Sequence, residues 1–301
     1  MTTTEAIAGA SLLPAEIVRK LQALDLGSRS RRAGKLRGDR RSTKRGSSVE
    51  FADYRNYTPG DDLRRVDWNL YARTDKLFLK LYEEEEDRAV HLLLDTSASM
   101  GFGAPPKLET ARRLAAALGY VALHELDRLH VTELGGGGLG SLRPLRGADG
   151  APTMLGFLSG LRPNGEAVLN RALREYASRG GAAGLLLLIS DLMDPDGVRA
   201  GLRALGGRGH EVTVLHVLAA EELEPVLIGD LELVDVESRV KQAVTLDTAA
   251  LDAYERRLQS WLAEVRRDCA AINATYCLVR AEEPLEDVLF SRLRQAKVLV
   301  S

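Results

Sequence analysis

The chain has 301 residues, of which 45% are hydrophobic and 28% are charged, and its formal net charge is −2. This composition excludes a fibrous or disordered protein, and the nearly balanced charge gives no reason to expect that the whole molecule binds nucleic acid. The two cysteines, Cys269 and Cys277, are too few for a zinc site made of thiolates or for a disulfide framework.

The beginning of the chain gives no sign of a targeting signal. The sequence MTTTEAIAGASLLP lacks the basic start and the long apolar core of a signal peptide. No stretch reaches the roughly 18 uninterrupted apolar residues that a membrane-spanning helix needs. We therefore expect a cytoplasmic protein without a membrane span.

A basic stretch follows. Eleven Lys and Arg residues lie between Arg19 and Arg45, with Asp25 and Asp39 as the acidic residues among them. Such a run is typical of a solvated arm, and we interpret residues 1–45 as a partly flexible arm with a short helix. The alternative is that residues 19–45 bind nucleic acid, which predicts a steep dependence of binding on salt.

Residues 46–88 form a separate segment that precedes the regular part of the chain. KLFLKLY (76–82) predicts a strand and EEEED (83–87) an exposed turn. The candidate interaction residues of this segment are Arg55, Tyr57, Asp61, Asp62, Arg64, Asp67, Trp68 and Arg73. Two interpretations fit them: a structural clasp in which Arg–Asp pairs satisfy each other, or a docking surface, since Arg, Tyr and Trp are frequent interface anchors.

From about Ala89 onward, strands and helices are predicted to alternate. The predicted strands are AVHLLLD (89–95), LHVTEL (129–134), AGLLLLIS (183–190) and EVTVLHVL (211–218), and the predicted helices span 107–124, 153–161, 167–178 and 197–205. Continuous apolar strands separated by helices indicate a parallel sheet covered on both faces. SLRPLRG (141–147) predicts a short edge strand, because Pro144 suits an edge better than the centre of a sheet.

The pattern changes after residue 218. Alternating polar and apolar residues predict a hairpin over 230–247, followed by a helix over 251–272, a strand over 275–281 and a helix over 285–297. We expect one stripe of the long helix to face the core: Leu251, Tyr254, Leu258, Trp261, Val265, Cys269 and Ile272. Residues 89–301 are therefore predicted to form one α/β domain with a mostly parallel sheet.

Polar side chains follow the two most apolar strands. Asp95, Ser97 and Ser99 come directly after the first, and Asp191 follows the second. Ligands of open α/β sheets lie at the carboxyl ends of the strands, so these residues are expected to share one crevice. Carboxylate and hydroxyl oxygens suit Mg²⁺ or another hard divalent cation. The alternative is that Asp95 and the serines form only a turn and a helix cap.

A metal-dependent hydrolase is another alternative. In such an enzyme Asp95 and Asp191 hold the cation, and a base must lie nearby. The sequence offers Glu166 or Asp194 for that role.

Two motifs resemble a known family. DTSAS (95–99) together with SD (190–191) resembles the metal-ion-dependent adhesion site (MIDAS) of von Willebrand factor A domains. GSSVEFADYRNYTPGDDLRRVDWNLYARTDKLFLKLYEEEEDR (46–88) resembles the signature of a bacterial family, domain-of-unknown-function family 58, in which it precedes a von Willebrand A-like domain.

The resemblance implies a Rossmann-like von Willebrand A domain with a magnesium site at the carboxyl end of the sheet. By carry-over, Ser97 and Ser99 bind the metal directly, and Asp95 and Asp191 do so directly or through water. The resemblance also implies a non-enzymatic role in protein–protein interaction. It further implies a partnership with MoxR-type AAA+ ATPases in the assembly or activation of other proteins.

One position departs from the family pattern. Matching LNRAL (169–173) to the helix after the usual threonine loop places Ala167 where threonine is expected and Val168 where aspartate is expected. The remaining protein ligand is therefore missing, or Glu166 or Asn164 replaces it. Glu166 adds a negative charge at the place where an acidic side chain of a partner normally binds.

Overall fold

In this computed structural model, the described residues are 12–28, 49–58, 61–63, 66–84, 88–135, 138–166, 168–225, 229–234 and 240–300. The chain divides into two compact units, one made of residues 1–31 and 88–301 and the other of residues 32–87. The larger unit contains the predicted α/β domain, and the smaller unit contains the polar and aromatic segment.

The first described residues belong to the larger unit. Helix α1 (Ala15–Leu21) leads to the short strand β1 (Asp25–Leu26), which pairs antiparallel with a strand at residues 299–300. Arg88 donates to the carbonyl oxygen of Leu26 at 2.7 Å and to the Asp25 carboxylate at 3.1 Å. The buried apolar side chains of this segment are Leu12, Leu13, Ile17, Val18, Leu21, Leu24 and Leu26.

Residues 12–28 differ from the predicted basic arm. The short helix is present as α1, but its apolar face packs in the core of the larger unit, whereas Arg19 and Lys20 are exposed. This segment has two basic and two acidic residues, and its buried apolar side chains determine where it lies. The other residues of the predicted arm, 1–11 and 29–45, lie outside the described residues.

The smaller unit contains an antiparallel strand pair. β2 (Val49–Asn56) pairs with β3 (Phe78–Glu84), and helix α2 (Trp68–Thr74) lies between them in the chain. The strand predicted at 76–82 is therefore confirmed with shifted ends. Glu83 and Glu84, expected in an exposed turn, continue β3 because they pair with the first residues of β2.

Strands and helices alternate from residue 89 onward, as predicted. The strands are β4 (Ala89–Asp95), β5 (Arg128–Gly135), β6 (Gly138–Ser141), β7 (Leu185–Ser190), β8 (Glu211–Leu218), β9 (Gly229–Val234), β10 (Lys241–Leu246), β11 (Thr275–Arg280) and β12 (Leu299–Val300). The helices are α3 (Lys107–His124), α4 (Ala151–Gly160), α5 (Leu169–Ser178), α6 (Arg199–Gly207), α7 (Ala220–Leu223), α8 (Thr248–Ala271), α9 (Leu285–Asp287) and α10 (Leu293–Gln295), with a π-helical turn at Val288–Arg292.

Six strands form the central sheet in the order β11-β8-β7-β4-β5-β6. The first five are parallel, and β6 pairs antiparallel with β5 at one edge. An edge strand is present, but it spans Gly138–Ser141 and lies before most of the predicted stretch. It begins at Gly138 because β5 extends to Gly135, which pairs with Gly138. Of the predicted stretch 141–147, Ser141 lies in β6 and Leu145 forms a single bridge to Leu129.

Helices cover both faces of this sheet, which confirms the predicted fold class. Alternate residues of β4 face opposite sides: Leu92 and Leu94 pack in one core cluster with α1, α3 and α4, and Leu93 packs in another with α5, α6 and α8. Among the described residues, none of the helices is long and apolar enough to cross a membrane.

The predicted hairpin and long helix are also present. β9 and β10 pair antiparallel, and α8 follows with Asp247 as its N-cap. The predicted stripe of α8 is buried at Leu258, Val265 and Cys269, but Tyr254 is 40% exposed. Its hydroxyl donates to the carbonyl oxygen of Glu222 at 2.6 Å, so this end of the stripe lies at the surface and is polar.

Candidate functional site

The candidate site lies at the carboxyl ends of two adjacent central strands. β4 ends at Asp95 and β7 ends at Ser190, and the two strands are parallel neighbours in which Leu94 lies opposite Ile189. Asp95 and Asp191 are therefore neighbours at this end of the sheet, and both residues are buried. The structure thus places these two predicted residues side by side.

The turn after β4 gathers the predicted oxygen ligands. One carboxylate oxygen of Asp95 accepts from the backbone N–H of Ser97 at 2.9 Å, and the other accepts from the Ser190 hydroxyl at 2.5 Å. The hydroxyls of Ser97 and Ser99 lie 3.0 Å apart and share a hydrogen bond. These donors hold the Asp95 carboxylate in one orientation beside two hydroxyl oxygens.

The environment of Asp95 disfavours its negative charge. Burial, and next the repulsion from Asp191, raises the pKa of Asp95 to about 6, although the hydrogen bonds from Ser190 and Ser97 act in the opposite direction. A positive charge near this carboxylate would relieve both unfavourable effects.

Asp191 has a partner that the sequence analysis did not identify. The ammonium of Lys107 lies 2.7 Å from one carboxylate oxygen of Asp191, and the backbone N–H of Met193 donates to the other oxygen at 3.1 Å. Lys107 also pairs with the carboxylate of Glu222, and the Lys107 side chain is fully buried. Burial raises the pKa of Glu222, and the Lys107 charge opposes that effect.

A signal for Lys107 was present in the sequence. Lys107 is the first residue of α3, directly after Pro106. A cation is unfavourable at the N-terminus of a helix, where the helix dipole is positive. A lysine at this position therefore predicts nearby carboxylates that stabilise its charge. Glu222 carried a weaker signal as an acid in the first turn of α7, where it accepts from the N–H of Ala219 at 2.8 Å.

Glu166 lies across a small pocket from the turn. The pocket is narrow and leaves no room for a water molecule, and it is lined by Asp95, Ser97, Leu134, Gly135, Glu166, Val168, Leu169 and Ala172. The loop that carries Glu166 is fixed to the turn because Asn164 N–H donates to Thr96 O at 2.7 Å and Ala98 N–H donates to Gly165 O at 3.0 Å. A Cβ atom at Gly135 would meet the Thr96 hydroxyl at 2.4 Å, so a side chain there would force the turn to move.

The loop that departs from the family pattern, residues 164–168, is described except for one residue. Ala167, at the expected threonine position, lies outside the described residues. Glu166 lines the pocket with Asp95, and the side chain of Asn164 is exposed. Of the two predicted replacements, Glu166 is the one that lines this pocket, although the residue is exposed.

The site fits a hard cation in part. Asp95, Ser97 and Ser99 supply one carboxylate and two hydroxyl oxygens, and Glu166 adds a second carboxylate at the pocket. Asp95 and Asp191 each have a hydrogen-bond donor on both carboxylate oxygens. The donors to Asp95 are neutral, whereas Asp191 is paired with the Lys107 ammonium, so Asp191 fits a cation less well than expected. Within the described parts of the chain, no three His, Cys, Asp or Glu side chains are grouped as a metal would need, so a cation here would depend on the serine oxygens.

A buried histidine contacts the backbone of Asp191. The Nε2 atom of His216 lies 2.8 Å from the carbonyl oxygen of Asp191, and its Nδ1 atom lies 2.8 Å from the Tyr276 hydroxyl. Burial lowers the pKa of His216 to about 4. His216 is therefore a neutral core residue that fixes the backbone of the site.

The alternative base of a hydrolase is engaged elsewhere. The Asp194 carboxylate accepts from the backbone N–H of Asn170 at 2.8 Å and from that of Asp196 at 2.8 Å. It therefore caps the start of α5 and a local turn. Glu166 is then the remaining acid of the two that the hydrolase interpretation requires.

The candidate interaction residues of the smaller unit have mixed roles. Asp67 is buried, caps α2 and accepts from the Tyr54 hydroxyl at 2.8 Å, so its role is structural. Asp61 accepts from the hydroxyl of Thr58 at 2.7 Å within a turn. Trp68 is 56% exposed. Tyr57 is half-buried, Asp62 and Arg73 are exposed, Arg55 lies in β2, and Arg64 lies outside the described residues.

Comparison with known proteins identifies the family. The sequence model of a family described as "Protein of unknown function DUF58" matches residues 53–262. The chain belongs to this family. An uncharacterized protein of Mycobacterium tuberculosis is 30% identical to this DUF58 chain over 275 residues, which cover 89% of the chain and 86% of the relative.

Some solved structures are similar to this DUF58 chain. They include the conserved hypothetical protein BatB from Bacteroides thetaiotaomicron, with 16% identity and a TM-score of 0.43. Another is an aerotolerance-related membrane protein from Bacteroides fragilis, with 19% identity and a TM-score of 0.44. Each likeness covers 69% of this chain and 98% of the other chain. Because these TM-scores are low, the assignment of the fold rests on the strand order and burial described above.

Proposed function

We propose that this DUF58 protein is a non-enzymatic protein-interaction module with an adhesion-type cation site at the carboxyl end of its sheet. The observation that carries the proposal is the turn after β4, where the buried carboxylate of Asp95 and the adjoining hydroxyls of Ser97 and Ser99 lie together. When bound, Mg²⁺ or a similar cation supplies a positive charge that a carboxylate of a partner protein can approach.

Glu166 is the proposed substitute for the missing threonine. Glu166 is an exposed residue that lines the pocket together with Asp95 and Ser97, and its loop is tied to the turn by backbone hydrogen bonds. A second carboxylate at the pocket strengthens the attraction for a cation, but it also occupies space that a partner's acidic group would use. We therefore expect cation binding to depend on Glu166.

The proposed partner is a MoxR-type AAA+ ATPase, with which the protein would act in the assembly or activation of other proteins. Support comes from the resemblance of residues 46–88 to the family signature and from the membership of the chain in DUF58. The exposed aromatic side chain of Trp68 is the proposed anchor on the smaller unit.

Calorimetric titration with Mg²⁺ tests the cation site. We expect Ser97→Ala/Ser99→Ala to weaken Mg²⁺ binding at least about tenfold, because the two hydroxyl oxygens are removed. Ser159→Ala, which changes an exposed serine of α4, is the matched control and should bind as the native protein does. Equal affinity of the native protein and the double variant would contradict the proposed site.

Affinity capture from the native cell tests the partner. The immobilised full chain is expected to recover an AAA+ ATPase in the presence of Mg²⁺. Failure to recover an ATPase in repeated experiments would contradict the proposed partnership, whereas the titration would still decide the cation site.

A further inference from the structure

The proposed cation site adjoins a cation that the chain itself supplies. Lys107 is fully buried, and its ammonium lies 2.7 Å from Asp191 and is paired with Glu222. The ring of Phe102 lies 5.9 Å from the same nitrogen. A buried ammonium is tolerated where carboxylates compensate for its lost hydration, and here two carboxylates do so.

The backbone at Lys107 does not favour this charge. Lys107 begins α3, where the positive end of the helix dipole repels a cation. The attraction to Asp191 and Glu222 therefore outweighs both the dipole and the loss of water. The ammonium is held by the carboxylates rather than placed there by the helix.

Asp191, the second carboxylate of the site, is less available to a divalent cation because it is paired with Lys107. Asp191 follows β7 directly beside Asp95, as a shared cation site requires, yet its oxygens are taken by Lys107 and the Met193 N–H. A divalent cation that approaches Asp95, Ser97 and Ser99 meets an Asp191 that is already paired with the Lys107 ammonium. It also experiences repulsion from the nearby ammonium, which is weakly screened because the cluster is buried.

We propose that Lys107 is a tethered internal cation that competes with a divalent cation for Asp191 and thereby weakens divalent binding at the site. This inference rests on the proposed function, since it concerns the same cation site. It also means that the fold does not need a bound metal, because Lys107 compensates Asp191 in the absence of one. The residue acts as a positioning residue on Asp191, not as a metal ligand.

The test is calorimetric titration of full-length protein with Mg²⁺ and, separately, with Mn²⁺. The central variant is Lys107→Met/Glu222→Gln, which removes one positive and one negative charge, so that the cluster keeps its formal charge while Asp191 is released. We expect this variant to bind Mg²⁺ at least about tenfold more tightly than the native protein, because Asp191 becomes available and the ammonium is gone.

Glu222→Gln alone is the matched control. It alters the same cluster but leaves the ammonium on Asp191, so we expect no gain in affinity. Addition of Asp191→Asn to the central variant should abolish the gain, because the released carboxylate is then neutral. Equal Mg²⁺ affinity of the native protein and the central variant would overturn the inference and leave the proposed function standing.

Thermal unfolding gives a second readout. The variant with Asp191 released should be stabilised by Mg²⁺ more than the native protein, measured as the rise in Tm at the same cation concentration. An equal rise in both proteins would count against competition by Lys107. Absence of Mg²⁺ and Mn²⁺ binding in the native protein and in every Lys107 variant would overturn the proposed cation site as well as this inference.

Discussion

At the scale of single residues, the buried His91 and two half-buried histidines form a group at the opposite end of the sheet from the candidate site. His91 of β4 stacks on His130 of β5 with ring centroids 4.8 Å apart, and the ring of His210 lies edge-on to His91 at 4.7 Å. His91 is held between the Tyr176 hydroxyl at 2.7 Å and the carbonyl oxygen of Ala182 at 3.1 Å. Burial, and next the neighbouring histidines, lowers the pKa of His91 to about 4.

This lowered pKa predicts a loss of stability in acid. Between pH about 6.5 and about 4, the unfolded chain binds a proton at His91 and the folded chain does not, so the free energy of unfolding falls as the pH falls. Above pH about 6.5 this contribution is fully present. We expect His91→Gln to reduce the loss between pH 7 and pH 5 by about 1–2 kcal/mol, measured by urea unfolding. His124→Gln is the control, since His124 is exposed on α3. An unchanged pH dependence in His91→Gln would contradict the prediction.

At the scale of secondary-structure elements, α1 shows how a helix with basic side chains on its exposed face is fixed to the core. Its buried residues Ile17, Val18 and Leu21 pack in the same core cluster as α3, while Lys20 pairs with Glu286 at 3.0 Å on the surface. Exposed ion pairs contribute little to stability, so the apolar face carries most of the docking energy.

The stability of the whole larger unit should therefore depend on α1. Leu21→Ala is expected to lower the free energy of unfolding by about 2–4 kcal/mol, because it leaves a cavity in a fully buried position. Lys20→Ala in the same helix should change it by less than about 1 kcal/mol. Chemical denaturation of the two variants measures the difference. Similar small effects of both substitutions would show that α1 is not fixed to the core.

At the scale of the whole molecule, the two units carry different features of the proposed interaction module. The larger unit holds the candidate cation site, and the smaller unit presents Trp68, whose ring meets that of Tyr71 edge-on at 6.1 Å. Large exposed aromatic side chains are typical of binding surfaces. We expect the two features to be separable by mutation.

Trp68→Ala should reduce recovery of the AAA+ ATPase severalfold without changing Mg²⁺ affinity, because it removes an anchor on the other unit. Leu126→Ala is the matched control, since Leu126 is 53% exposed and Trp68 is 56% exposed. Quantified capture from the native cell, with calorimetry in parallel, measures both effects. Equal recovery by both variants would contradict a docking role for Trp68.

The sequence by itself determined the parallel α/β fold, the hairpin and the meeting of Asp95 with Asp191. These features depend on local patterns: continuous apolar strands such as Leu185–Ser190, and polar residues at strand ends. The buried side chains of α1 were also present in the sequence, but the surrounding charges concealed them. The exposure of Tyr254 was not predictable from its place in the stripe of α8, because periodicity does not show where neighbouring elements end.

Only the tertiary structure decided the state of the candidate site. Lys107 lies 84 residues before Asp191 in the sequence, and Glu222 lies 31 residues after it. The fold nevertheless brings the three side chains, from the start of α3, the end of β7 and α7, into one buried cluster.

 Sequence patterns report what lies next to each residue along the chain, whereas the charge balance of Asp191 depends on side chains that meet through folding. The physical reason is that electrostatic attraction in a buried site depends on distance in space and on exclusion of water, and neither is encoded in a local motif. The motif DTSAS therefore predicted the oxygens of the site, and the fold determined that a lysine already balances one of its two carboxylates.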